Sequence, residues 1–128
     1  MSFDPEPYAS GLRRRNDHER AQIEERLAQA KIEAQRLARA ILAADASVRA
    51  VYLFGSVAEG QPRHIDFDID IALEGGDSYR AMDIVQSSPF DVDIVNLARI
   101  PEHVRMRILD SGIRFLPDAS TSSASGGR

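Results

Sequence analysis

Three short runs of this chain combine residue types that can do chemistry: Val51-Tyr-Leu-Phe-Gly-Ser56, Asp66-Phe-Asp-Ile-Asp-Ile-Ala-Leu73 and Phe90-Asp-Val-Asp-Ile-Val95. Along an extended strand successive side chains point to opposite faces, which places Asp66, Asp68 and Asp70 on one face and Ile69, Ile71 and Leu73 on the other. The same parity groups Asp91 with Asp93, opposite Val92 and Ile94. Consecutive strands are often neighbours, and in that case four or five carboxylates converge on one patch. Like charges crowded beside an apolar core are unfavourable, so either their pKa values rise or a cation neutralises them. Carboxylate oxygens without Cys or a nearby His suit Mg²⁺ or Mn²⁺ better than Zn²⁺. Magnesium keeps waters and commonly shares its shell with substrate phosphates, which points to a nucleotide.

A phosphate site is then required, and Gly55-Ser56 offers one directly after an apolar run. Glycine lets the backbone approach a ligand, and Ser56 adds a hydroxyl at the start of a helical turn whose free N–H groups favour anions. Taken alone, Gly-Ser is a common turn dipeptide. A calcium loop is the rival reading of Asp66-x-Asp68-x-Asp70, and it fails: the sixth position is Ile71 where Gly is needed, and the twelfth is Asp77 where a bidentate Glu is expected.

The elements that must position these groups follow from pattern. Residues 16–44 lack Gly and Pro and are rich in Ala, Glu, Gln, Arg and Leu, which predicts a long helix over 16–45, capped by Asn16 with Glu19 completing a capping box. Ile23, Leu27, Ala30, Ala34, Leu37 and Ile41 recur at helical spacing and form one stripe, expected to pack on its own domain rather than in a coiled coil. Strands are expected at 48–54, 69–73 and 92–97, each nearly continuous in apolar residues, as suits burial on both faces. Helices are expected at 78–85 and, after Pro101, at 102–109, with a last short strand at 113–116. Strands alternating with helices make an α+β (α/β) domain with a small mixed sheet, preceded by the long helix. The boundaries read as a flexible lead at 1–15, one domain at 16–117 with its core at 48–117, and a disordered tail rich in Ser, Gly and Ala at 118–128.

The composition narrows the function classes. The 128 residues contain no Cys, which excludes disulfides, thiolate metal sites and a Cys nucleophile. No stretch has the roughly 18 apolar residues of a membrane span, and the start does not look like a signal peptide, so a soluble cytoplasmic protein is expected. A net charge of −4 argues against broad binding of nucleic acid, and Arg13-Arg14-Arg15 reads as a solvated lead-in to the helix.

Together these pieces resemble the minimal nucleotidyltransferases, small members of the DNA polymerase β-like superfamily often found as MntA-type antitoxins beside a HEPN-domain toxin. The family pattern is a strand ending in Gly-Ser, an Ala-x-Gly loop, an Asp-h-Asp-h-h-h strand and a later h-Asp-h-h strand, with h apolar. Here these read Leu53-Phe54-Gly55-Ser56, Ala58-Glu59-Gly60, Asp68-Ile69-Asp70-Ile71-Ala72-Leu73 and Val92-Asp93-Ile94-Val95. The match covers residues 48–97, with the pieces in the family's order. The resemblance implies that Asp68, Asp70 and Asp93 hold Mg²⁺ or Mn²⁺, and that Asp93 also acts on the attacking hydroxyl. It implies that Gly55 and Ser56 hold the β- and γ-phosphates of a nucleoside triphosphate, expected to be ATP. The implied reaction transfers a nucleotidyl group to a hydroxyl of a protein partner such as a HEPN-domain toxin, where the acceptor is a tyrosine.

Three departures from the pattern stand out. The loop before Asp68 is one residue longer than usual, Phe67 replaces a small polar residue, and Glu59 stands where the family often has Arg. Arg63, in the same loop, can supply the missing charge and is a further nucleotide-binding candidate. These changes define the rival reading, a catalytically inactive module of the same fold that works by protein–protein contact. A purely structural carboxylate cluster ranks below both. His18, His64 and His103 read as surface residues, Asp66 and Asp91 as rim charges, and Tyr52 and Tyr79 as core or surface packing. Room for a homo-oligomer remains open.

Overall fold

A computed structural model describes residues 6–62 and 64–118 of the chain. The elements are α1 (Glu6–Ala44), β1 (Val48–Phe54), α2 (Gly55–Glu59), β2 (Ile69–Gly75), α3 (Ser78–Val85), β3 (Val92–Asn96), a 3₁₀ turn (Leu97–Arg99), α4 (Glu102–Ser111) and β4 (Ile113–Phe115). The strands form one mixed sheet in the order β3-β2-β1-β4. β1 is antiparallel to both β2 and β4, and β3 runs parallel to β2. This is the expected α+β class with a small mixed sheet and a long N-terminal helix.

Alternation along the strands divides the core in two. Val51, Leu53, Ile69, Ile71 and Leu73 face a cluster with Ala30, Ala34, Leu37, Ala38 and Ile41 of α1, and with Ala81 and Val85 of α3. Ala50, Tyr52 and Ala72 face the other way, onto Leu97 and Ile108. The apolar stripe of α1 therefore packs on its own sheet. Leu37 and Ala30 are fully buried, and a stripe so rich in alanine lets the helix lie close to the strands. The helix starts at Glu6 rather than Asn16, which lies inside it. Proline is tolerated in a first turn, where its missing N–H would have no partner, so Pro7 permits the earlier start, and Gly11 costs only about 1 kcal/mol in the interior. The tail at 119–128 lies outside the described residues.

Buried polar groups tie α1 to the rest. Asp45, 7% exposed, accepts hydrogen bonds from the backbone N–H of Ser47 and of Asp77, both at 2.9 Å. The bond from Asp77, then that from Ser47, holds its carboxyl below the usual range. Glu33 accepts two bonds from Arg36 at 2.7 and 2.8 Å and one from Ser88 Oγ at 2.6 Å. Phe90 N–H donates to Ser88 Oγ, and the Arg26 guanidinium lies 4.3 Å from the centre of the Phe90 ring. These contacts fix the segment entering β3, whose Asp91 carbonyl accepts from Ile69 N–H at 2.9 Å.

Candidate active site

The register of the sheet sets the site. Phe54 pairs with Asp70 across β1 and β2, and Asp70 pairs with Asp93 across β2 and β3. Adjacent strands lie about 4.8 Å apart, so the end of β1, Asp70 and Asp93 form one row spanning about 10 Å. Asp70 and Asp93 share the sheet face of Ala72 and Val95, since each is two residues from them along its strand.

Asp68 precedes β2 rather than lying in it, and Asp66 is two residues further out, so the strict parity expected for all three carboxylates holds within the ladder only for Asp70. Phe67 and Ile69 both pack into the cluster beneath α1, while Asp68 between them is exposed. The apolar side chain at position 67 thus anchors the loop where a small polar residue would leave it loose.

Gly55, the first residue of α2, has φ +77, and a Cβ there would collide with Asp70 Oδ2. Both the backbone angle and the space require glycine, and its absence of side chain lets the backbone rest against the carboxylate. No side-chain hydrogen bond caps the N-terminus of α2, and Ser56 is half-buried beside it. α2 ends at Gly60, whose N–H donates to Ser56 C=O at 2.9 Å. Glu59 is exposed at that end, and Arg63 lies outside the described residues.

Electrostatics mark Asp70. Its carboxyl is pushed up to about 6, first by burial, then by the charge of Asp93 and then by that of Asp68. The charges of Asp93 and Asp68 thus bear on Asp70, yet among the described residues no three His, Cys, Asp or Glu side chains close into a metal cage. Asp66 and Asp91 are exposed, as are Asp68 and Asp93. As a donor set, three carboxylates suit a hard divalent cation, whose charge would offset the burial and repulsion that raise Asp70.

His18, His64 and His103 are exposed, as expected of surface residues. Tyr52 is buried in the core and Tyr79 is 76% exposed. Sequence reasoning missed the clamp of Arg26, Glu33 and Ser88 on the β3 approach. Its one signal was a glutamate, Glu33, on the buried side of α1 beside Ala34 and Ala30.

A family model for Polymerase beta, Nucleotidyltransferase matches residues 37–119 of the chain, and the protein belongs to that family. No curated protein matches it closely enough to count as a relative. Among solved structures, a chain of a mutant toxin–antitoxin MntA-HpeT complex is 20% identical, with a TM-score of 0.50, covering 73% of this chain and 77% of that one. A toxin–antitoxin structure with AMP-PNP is 23% identical with a TM-score of 0.46, over 61% of this chain and 68% of that one. A tri-AMPylated Shewanella oneidensis HEPN toxin in complex with MNT antitoxin gives 18% identity and a TM-score of 0.47, over 77% and 78%. Among the described residues no helix is long and apolar enough to cross a membrane.

Proposed function

We propose that this protein is a Mg²⁺-dependent nucleotidyltransferase that moves AMP from ATP to a hydroxyl of a protein partner, a HEPN-domain toxin, and so serves as the antitoxin of such a pair. The observation that carries the reading is the row Asp93–Asp70–Gly55, where two carboxylates and a glycine backbone meet at the ends of three adjacent strands. Gly55 and Ser56, at the uncapped start of α2, would hold the β- and γ-phosphates, and Arg63 is assigned to the same phosphates. Asp68, Asp70 and Asp93 would hold Mg²⁺ or Mn²⁺, which when bound neutralises charge on the phosphates and acidifies the attacking hydroxyl.

In the transfer itself the acceptor oxygen bonds to the α-phosphorus, the bond from that phosphorus to the oxygen bridging to the β-phosphate breaks, and pyrophosphate leaves with the bonding pair. Asp93 is exposed at the rim, where an acceptor side chain can reach it, and takes the hydroxyl proton.

The test is incubation with α-labelled ATP, Mg²⁺ and a HEPN-domain toxin. Label should appear on a tyrosine of the toxin and be lost in the Asp68→Asn/Asp70→Asn double variant. Label transfer by the double variant would remove the catalytic assignment, and toxin binding without transfer by the wild type would favour an inactive binding module.

A further inference from the structure

β3 is an edge of the sheet. A groove of about 510 Å³ lies against it, lined among others by Tyr79 and Met82 of α3, Ile94 and Val95 of β3, and Arg99. Ile94 packs toward the core beneath α1 and α3, whereas Val95 packs toward the opposite core. A groove that touches both must run past the outer edge of the strand, so the backbone groups of that edge open into it. Tyr79 and Met82 are 76% and 41% exposed, and Asp77, the acid in the groove, has its carboxylate engaged by Tyr79 N–H. Arg99 has no ion-pair partner among the described residues, so the groove presents an apolar wall, a strand edge and one free cation. Exposed edges of this kind are normally paired or blunted by charge.

We infer that a second copy of this chain occupies the groove, with β3 of each copy pairing antiparallel about a two-fold axis near Ile94. The argument is self-complementarity. Asp91 stands at the entry of β3 and Arg99 just past its exit, and antiparallel pairing brings the entry of one strand beside the exit of the other. With the axis at Ile94, Asp91 of each copy stands opposite Leu97 of the other, two residues before Arg99, whose long side chain spans that offset to the exposed Asp91, twice per dimer. An axis perpendicular to the sheet keeps both α3 helices on one face, so Tyr79 and Met82 of the two copies meet over the junction. In a chain with 20 acidic and 16 basic residues, the acid that matches the groove's cation is supplied at the right place by the strand itself. Asp93 of each copy stands opposite Val95 of the other, and both carboxylate rows open on the same face of one continuous sheet. A strand of five residues spans only about 17 Å, so the dimer is weak and concentration-dependent. This inference is independent of the catalytic reading.

Sedimentation velocity on the full chain, from low micromolar to millimolar concentration, tests it. The wild type should form a reversible dimer. Met82→Asp, or Tyr79→Asp as a second exposed variant, should shift it toward monomer at an unchanged melting temperature. Arg99→Glu and Asp91→Arg should each weaken dimerisation roughly tenfold, and the two together should restore it. A wild type that stays monomeric throughout overturns the inference, as does a dimer indifferent to all of these substitutions. Failure of the double charge reversal to rescue two weakened single variants overturns the assigned pairing.

Discussion

Replacing Asp70 with Asn should stabilise the protein at neutral pH. In the fold the Asp70 carboxyl is pushed up to about 6 by burial and by the charges of Asp93 and Asp68, against about 3.9 in an unfolded chain. Each unit corresponds to about 1.4 kcal/mol, so the ionised form costs at most about 3 kcal/mol, reduced by solvent screening at a half-open site to about 1–2 kcal/mol. A raised carboxyl makes folding weaker where it must ionise. The penalty is absent below about pH 4, grows between about 4 and 6, and is complete above. Asn keeps the shape and removes the charge. Urea unfolding in EDTA at a series of pH values would show the difference: wild type and Asp70→Asn should be close near pH 4 and diverge by about 1–2 kcal/mol by pH 7. Added Mg²⁺ should narrow the gap by stabilising only the wild type. Parallel curves for the two proteins across this range would refute the electrostatic account of the site.

Gly55→Ala should cost about 1–2 kcal/mol from the left-handed backbone alone, with more from the collision with Asp70, and should lower nucleotide-dependent stabilisation in a thermal shift assay. Leu37→Ala, at a fully buried position on the sheet-facing side of α1, should cost about 2–5 kcal/mol in chemical denaturation. Glu33→Ala should cost about 1–3 kcal/mol by leaving Ser88 and Arg36 without their acceptor, and should raise amide exchange in the segment before β3. Glu33 and Asp45 are held below their usual range. The stability they add is present above about pH 4.5 and is lost as pH falls further, opposite in sign to Asp70.

Strand positions were legible because Val51-Tyr-Leu-Phe and Ile69-Asp-Ile-Ala-Leu can be buried on both faces, and the structure divides their side chains between the two clusters accordingly. The α1 stripe was legible for the same reason, since helical spacing and burial coincide from Ala30 to Ile41. The helix start was not legible: Asn16 and Glu19 have the types of a capping box, but a cap only works where the backbone leaves the helix, and nothing local compels it to leave there. The parallel pairing of β2 and β3 was likewise hidden. It depends on α3 crossing over the sheet and on α1 clamping Ser88 and Phe90, which are contacts between residues far apart in sequence.

The position of Asp68 shows how the fold and the site depend on one substitution. Outside the ladder, no hydrogen bonding between strands dictates which way a side chain points. Phe67 and Ile69 nevertheless both pack under α1, and with its two neighbours turned inward, Asp68 is left facing away, toward the side occupied by Asp70. A large apolar group at position 67 therefore replaces local hydrogen bonding with burial as the device that aims the acid. It follows that Phe67→Ser should free this loop, raise its amide exchange and lower the pKa of Asp70 by letting the Asp68 charge move away. An NMR titration of the Asp70 carboxyl measures this directly. An unchanged Asp70 titration in a folded Phe67→Ser variant would mean that Asp68 is held by something other than the apolar anchor beside it.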